Sequence, residues 1–220
     1  MTVLGIDSSD DLISVGISSG DEILISRSTE GARKNILHSF MNKTILESGL
    51  SLRGIDSVAV SIGPGSFTGL RVGLAAAKGI CWAANKPLAG VSSLKALAAC
   101  VESDCEDFIV VKDARRGEFY YAGFSMLKGK LERKTPDSVG AADRIISLSE
   151  GAKMLGPGVA VLKKESTGLD YAVDIGYNRD ILGGRVALLG AALIASGRTL
   201  DPGGSAPSYV RTPDFVRKGV

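Results

Sequence analysis

VLGIDSSDDLISVGISSGDEILI, residues 3–25, decides the fold class. Val3 to Ile6 is a short apolar run that ends on an acid, Asp7. Ile13, Val15 and Ile17 then alternate with Ser14, Gly16 and Ser18, the period of two that belongs to a strand. Ser19-Gly20-Asp21 supplies a turn and Ile23 to Ile25 resume a strand, so residues 11–28 read as a hairpin beside the first strand. Beyond it the period becomes helical over 32–48, with apolar residues at 36, 37, 40, 41, 45 and 46 and Gly49 as the stop. A strand over 57–62, a Gly63-Pro64-Gly65 break, a helix over 66–84 closed by Pro87, a strand over 88–91 and a helix over 93–101 follow. A hairpin-led sheet with later helical crossovers predicts an α/β chain with a mixed sheet of the ribonuclease-H-like type.

The acidic stretch Glu102 to Asp107 reads as a boundary, giving lobes over 1–102 and 103–220. After it the theme partly restarts. Strands are expected over 108–111 and 118–126, a turn and third strand over 127–134, and a helix over 141–148. A glycine-rich stretch occupies 151–158. An apolar helix over 185–196 is bounded by Gly183-Gly184 and Gly197, and it is a candidate for packing back on the first lobe. The tail from Thr199 is rich in Pro and Gly and reads as surface chain. No sequence-level repeat is present, only a repetition of element order.

The 220 residues are 45% hydrophobic and 23% charged, which excludes a disordered tail and supplies a sizeable core. Lys and Arg number 26 against 24 Asp and Glu, and a net charge of +2 does not suit a protein that grips long nucleic acid unaided. The single histidine, His38, excludes paired-histidine metal motifs within the chain. Its helix offers no acid at an adjacent turn to orient it for catalysis. Cys81, Cys100 and Cys105 leave one thiol over in any disulfide scheme and form no Cys-x-x-Cys pair, as suits a reducing compartment. No apolar run reaches a membrane span, and the first residues lack a basic segment before the apolar one. The expectation is a cytoplasmic protein.

Residues 61–73, SIGPGSFTGLRVG, are the sharpest motif. A strand enters a Gly-Pro-Gly turn and leaves through a helix that Ser66 can cap. Gly63, Gly65 and Ser66 are candidates for holding an anion on exposed N–H groups at that helix start. The alternative is a tight turn with close helix packing, and the spacing matches neither the Walker loop nor Gly-x-Gly-x-x-Gly. Along the helix Gly69, Gly73, Ala76, Ala77 and Ile80 form a stripe of mostly small side chains, and Arg71 and Lys78 are the charged residues. A helix apolar nearly all round is buried on more than one side. Ile36, Phe40, Met41 and Ile45 spread in the same way over the preceding helix. These residues are candidates for a partner interface; two interior crossover helices explain them equally well.

Asp7 and Ser8 end the first strand, where an acid can hold Mg²⁺ through water and a hydroxyl can meet a phosphate; a simple turn is the competing explanation. Arg115 and Arg116 lie in the connection Asp113-Ala-Arg-Arg-Gly-Glu, either gripping an anion or carrying solvated charge. Cys81, inside the apolar helix, reads as inert packing.

The block Gly63-Pro-Gly-Ser-Phe-Thr-Gly-Leu-Arg-Val-Gly73 resembles the hallmark of the bacterial TsaB/YeaZ family of tRNA threonylcarbamoyladenosine biosynthesis proteins. Gly5-Ile-Asp-Ser-Ser, Asp113-Ala-Arg-Arg-Gly-Glu-Phe-Tyr-Tyr-Ala and Pro207-Ser-Tyr-Val-Arg agree with it in order along the chain. Residues 140–200 match only in general character. Family members tend to carry His-Ser early in the first helix, where this chain has Arg33-Lys34, so His38 inherits no role.

The resemblance implies an actin-like ATPase fold of two ribonuclease-H-like lobes, the second reduced. It implies a non-catalytic partner of the larger paralogue TsaD, working with the small ATPase TsaE. That system transfers a threonylcarbamoyl group from its adenylate to the exocyclic amine of the adenine beside the anticodon of tRNA. It implies pairing through a helix bundle of the first lobe, and a homodimer through the same surface in the partner's absence. No intrinsic cofactor or metal is implied; ATP, ADP and Mg²⁺ enter only at the level of the complex. The rivals are an actin-like ATPase or small-molecule kinase using Asp7 and the 63–69 turn, a peptidase, and direct tRNA binding through Arg33-Lys34, Arg115-Arg116 and the basic tail.

Overall fold

The computed structural model describes residues 1–30, 36–102, 104–148, 153–165 and 176–211. The opening strand β1 (Thr2–Asp7) lies in the middle of a five-stranded sheet. The hairpin β2 (Ile13–Ser19) and β3 (Glu22–Thr29) flanks it on one side, antiparallel; β4 (Ser57–Gly63) and β5 (Leu88–Ser92) continue the other side in parallel. The order β3-β2-β1-β4-β5 is the ribonuclease-H-like arrangement that the hairpin-led reading requires.

Two helices cover one face. α1 (Leu37–Glu47) starts later than expected: Ile36 stands at its N-cap, and residues 32–35 of the expected helix lie outside the described residues. α2 (Phe67–Ala84) matches its expectation closely. The Ser66 hydroxyl accepts from the Gly69 N–H at 3.3 Å, and Asn85 in the left-handed conformation ends the helix two residues before Pro87. Leu4, Ile6, Val15, Leu37, Met41, Val60, Leu74 and Ala77 form the core between these helices and the sheet.

The opposite face carries α6 (Leu182–Ala195), from the end of the chain. Gly183 and Gly184 are inside this helix, not before it. Their missing side chains let the helix backbone settle onto the backbone of β1 and β2: a Cβ on Gly183 would lie 2.5 Å from the Gly16 nitrogen, and one on Gly5 would lie 2.5 Å from the Ala187 nitrogen. The helical period is the same on either assignment. What the sequence hides is that the two glycines are packing residues and not punctuation.

α3 (Ser93–Ala98) leads into the second sheet. β6 (Cys105–Arg115) pairs antiparallel with β7 (Glu118–Leu127), β7 pairs with both β8 (Lys130–Arg133) and β9 (Ser138–Ala141), and β10 (Lys153–Leu155) runs parallel to β6. β6 begins inside the acidic stretch, because Cys105 points into the core while Glu106 and Asp107 stay exposed. The order β8-β7-β6-β10 repeats the first sheet's β3-β2-β1-β4 without a counterpart of β5, which is the reduced lobe. α4 (Ala142–Leu148) and α5 (Val159–Glu165) pack on its outer face. One apolar core, running from Ala59 and Val186 through Leu94 and Leu97 to Phe108 and Phe124, spans both sheets.

The chain after α6 lies on the surface, and it is tied down there. Leu200 bonds back to Leu88 on the edge strand β5 at 2.8 Å, Ser208 N–H donates to the Ile62 carbonyl at 2.7 Å, and Lys78 Nζ donates to the carbonyls of Gly203 and Ser205. This strap covers an otherwise open sheet edge.

All three cysteines are buried free thiols. Burial pushes the Cys100 thiol up to about 12 and the Cys81 thiol up to about 11. The native protein is therefore expected to give no fast thiol release with a disulfide reagent near pH 8; a thiol that reacts within seconds would contradict this burial.

Candidate functional site

Two places hold the predicted site residues: the junction between the lobes and the α1–α2 layer. At the junction Asp7 ends β1 buried, 2% exposed. The next two residues turn back on it. Ser9 Oγ lies 3.0 and 3.1 Å from the two Asp7 carboxylate oxygens, and the Ser9 N–H donates to the same group at 3.1 Å. Ser8 Oγ donates to the Gly69 carbonyl at 2.8 Å, from the other side of the Gly-Pro-Gly turn.

The turn is close packed. Ser66 N–H donates to the Ser9 carbonyl at 2.8 Å, Ser93 Oγ donates to the Pro64 carbonyl, and a Cβ on Gly65 would strike the Ser9 backbone. Gly63 holds a φ of 132° that only glycine takes readily, with the Ser208 carbonyl where a side chain would go. Gly63, Gly65 and Ser66 thus build a tight joint between β1, β4 and α2.

The second lobe contributes a residue that sequence reading missed. Lys112, on β6, is 3% exposed, and its Nζ donates to Ser9 Oγ at 2.8 Å and to the Ser9 carbonyl at 3.3 Å, with Asp10 Oδ2 at 3.8 Å. Lys112, Ser9 and Asp7 form one chain of contacts across the lobes. The available signal was a lysine directly after the apolar run 108–111, where an apolar strand rarely buries a charge without a partner.

Beside this chain lies a cleft of about 370 Å³, lined among others by Asp10, Thr68, Asp113, Arg115 and Tyr120. Arg115 and Arg116 stand at its hairpin, both with positive φ, 65° and 61°. Arg115 reaches Asp113 at 3.3 Å and Asp11 at 3.8 Å.

An actin-like fold would seat nucleotide phosphates and their Mg²⁺ at this junction. These residues do not fit that group. Both Asp7 oxygens face Ser9, the Ser8 hydroxyl faces Gly69, the Lys112 ammonium bonds Ser9 and stands 3.8 Å from Asp10, and arginines stand in the hairpin where glycine would let backbone approach a phosphate. Among the described residues, no three His, Cys, Asp or Glu side chains gather to hold a metal, and no helix is long and apolar enough to cross a membrane.

The predicted interface residues divide in two. Met41, Ile45, Gly69, Gly73 and Ala77 face the sheet and are buried by their own chain. A Cβ on Gly73 would collide with Ser8 Oγ, so the small stripe is a helix-to-sheet contact. Ile36, Phe40, Ala76 and Ile80 are half-buried along the helix flanks, and Arg71 is exposed. Arg71 lies 3.6 Å over the Phe67 ring and donates to the Tyr209 hydroxyl at 3.1 Å.

The outward line of α2 is a different set: Ala75, Gly79, Trp82 and Ala83 are exposed, Trp82 by 74% and with space all round Gly79. α1 adds Leu46, 75% exposed. The ambiguity was one of direction, since small residues serve a sheet contact as well as a helix contact.

Comparison with known proteins extends this picture. The family model described as "TsaD: tRNA N6-adenosine threonylcarbamoyltransferase" matches residues 29–192. The TsaB protein of Bacillus subtilis is 31% identical over 158 residues, which cover 68% of this chain and 67% of that protein. The TsaB protein of Haemophilus influenzae is 30% identical over 125 residues, 56% of this chain and 53% of its own length. The chain thus spans about half to two thirds of these curated relatives. The solved structure of YeaZ from Pseudomonas aeruginosa superposes with a TM-score of 0.80 over 94% of this chain and 99% of that one, at 21% identity, which establishes the shared fold. With the matched sequence blocks, the repeated sheet order and these relatives agreeing, the chain belongs to the TsaB/YeaZ family of tRNA threonylcarbamoyladenosine biosynthesis proteins.

Proposed function

We propose that this chain is the accessory, non-catalytic subunit of a tRNA threonylcarbamoyltransferase complex, and that it pairs with a TsaD-type paralogue through the outer side of α1 and α2. One observation carries the proposal: α2 turns Ala75, Gly79, Ala83 and a 74%-exposed Trp82 to solvent along a single line. Small residues allow another helix to approach closely, and a protruding indole beside them is the composition of an interface centre. The match to the TsaD family model supports a partner of the same ancestry, for which related helices can meet in a quasi-symmetric bundle.

The junction supports the non-catalytic half of the proposal. Asp7 bonds Ser9, Ser9 bonds Lys112 and Ser8 bonds the Gly69 carbonyl, so the acid and hydroxyls are already partnered beside the cleft. The transferred group, the tRNA and any ATP, ADP or Mg²⁺ then belong to the complex with the paralogue and a TsaE-type ATPase. The isolated chain forms a homodimer through the same surface.

A standard interface of this kind buries about 1,600 Å² in total. Trp82→Arg combined with Gly79→Arg is expected to weaken binding to the paralogue at least about 30-fold by sedimentation. Its thermal unfolding should be at or above wild type, because neither site contacts the core and replacing Gly79 within the helix adds helix propensity. Reconstituted tRNA modification should fall in parallel and fail when this chain is omitted. A double variant that binds and activates normally would overturn the surface, and modification at full rate without this chain would overturn the function.

A further inference from the structure

The outer face of the second sheet holds a hollow of about 490 Å³ that the proposed function does not use. α4 and α5 cover this face over Val111, Phe119 and Tyr121 but leave the stretch around Gly123 open. Gly123 makes the depression, since it stands opposite Ile109 and contributes no side chain. The chain leaving β8 forms a fixed wall. Lys134 N–H donates to the Gly123 carbonyl at 2.8 Å, and Gly123 N–H donates to Thr135 Oγ1 at 2.7 Å. Arg144 and Leu148 of α4 form the facing wall.

The polar groups of this hollow are already oriented. Arg144 Nε donates to the Tyr121 hydroxyl at 2.9 Å. The arginine stem lies so close over Gly140 that a Cβ there would sit 3.1 Å from Arg144 Cδ. Arg144 is exposed, its Nε is bonded to Tyr121, and among the described residues no carboxylate pairs with its guanidinium. Tyr121 is 6% exposed and accepts the arginine bond, which leaves its own proton to donate; no acceptor for that proton stands among the described residues. Lys134 adds a second cation at the rim, 4.0 Å from Glu132, and Asp107 is the one acid of the lining.

We propose that this hollow binds a small apolar carboxylate, an aromatic or branched acid. Its apolar body rests on Ile109 and Gly123, and its carboxylate meets the Arg144 fork and the Tyr121 hydroxyl. An arginine fork matches a carboxylate with two parallel bonds, and an apolar floor with few converging polar groups is the makeup of a small-molecule site. The proposal stands apart from pairing with the paralogue, since no residue of it lies on α1 or α2.

The test uses the full chain, isotope-labelled, titrated with 3-phenylpropionate while amide signals are followed. Saturable shifts are expected at Tyr121, Gly123 and Arg144, with a Kd on the order of 1 mM for a ligand of this size. Arg144→Met should abolish them, and Arg144→Lys, which keeps the charge but loses the fork, should weaken binding about tenfold. Tyr121→Phe should weaken it less. The matched alcohol, 3-phenylpropanol, and inorganic phosphate serve as controls and should bind at least about tenfold more weakly. Absence of saturation, equal binding of acid and alcohol, preference for phosphate, or unchanged binding by Arg144→Met would each overturn the proposal.

Discussion

Replacing Gly183 by valine is expected to prevent folding of the first lobe. The position lies on the first turn of α6, where the helix rests on the Val15–Gly16 backbone, and an added Cβ would sit 2.5 Å from the Gly16 nitrogen and 2.7 Å from the Val15 Cα. Those atoms belong to β2, which is paired on both edges and cannot retreat without breaking its ladders. Nor can the helix lift away. A neighbouring point of contact, Gly5 against Ala187, is as close, and Gly190 meets the Ala59 side chain farther along. Lifting α6 would also open the apolar core around Leu182, Val186 and Ala187. Overpacking into yielding side chains costs about 1–3 kcal/mol; against backbone on both sides the loss should exceed about 4 kcal/mol, a large share of total stability. The expected result is insoluble protein, or a chain without a cooperative thermal transition. The matched control is Gly79→Ala on α2, where a Cβ meets open space and helix propensity should add up to about 1 kcal/mol. A soluble Gly183→Val protein melting within a few degrees of wild type would refute this account of the α6 contact. By the same reasoning Gly73→Glu and Ala77→Arg, which face Ser8 and the core, should damage the fold itself and not selectively the partner surface.

The glycine contacts also mark where sequence could and could not be read. The β2–β3 hairpin was legible because large apolar Ile13, Val15 and Ile17 alternate with small Ser14, Gly16 and Ser18; burial itself does not alternate, since α6 covers the small-residue face as well. α2 was legible from end to end because its cap and its stop are both local chemistry, Ser66 and Pro87, with left-handed Asn85 making the end two residues earlier. The face of α2 was not, because glycine and alanine satisfy a sheet backbone and a second helix equally. Gly183 and Gly184 misled for the opposite reason: low helix propensity suggests a boundary, while the close approach to β1 and β2 repays it inside the helix. β9, β10 and α5 escaped because they are three to seven residues long and offer too few positions for a period to show. Of the candidate site, the sequence shows Asp7 and Ser8 only as the end of the first strand; Lys112, bonded to Ser9 beside them, lies more than a hundred residues away, a distance no local pattern bridges.

Lys112→Met should cost about 2–3 kcal/mol and loosen the two lobes together. The methionine keeps much of the buried volume, so the loss comes from the ammonium. Without it, the nearly buried Ser9 carbonyl and hydroxyl lose their second-lobe partner, and the positive charge beside Asp7 and Asp10 is gone. Asp10 is a third exposed, so solvent screens it and it supplies the smaller part. Buried Asp7 has no such relief. The effect of Lys112→Met should therefore shrink when Asp7 is already asparagine, with a coupling of about 1 kcal/mol or more between the two changes. Denaturant melts of the four proteins give that coupling. Amide exchange supplies the spatial readout: residues 7–10 on the first lobe and 110–118 on the second should accelerate together in Lys112→Met, while α1 stays protected. A merely local packing defect would quicken β6 alone and leave the stability changes additive, and either result would remove Lys112 from its place as the polar tie between the lobes. If the tie holds, it fits the proposed role of a rigid accessory subunit. The position where mobile lobes would clamp a ligand is occupied by the chain's own lysine, serine and aspartate, bonded to one another.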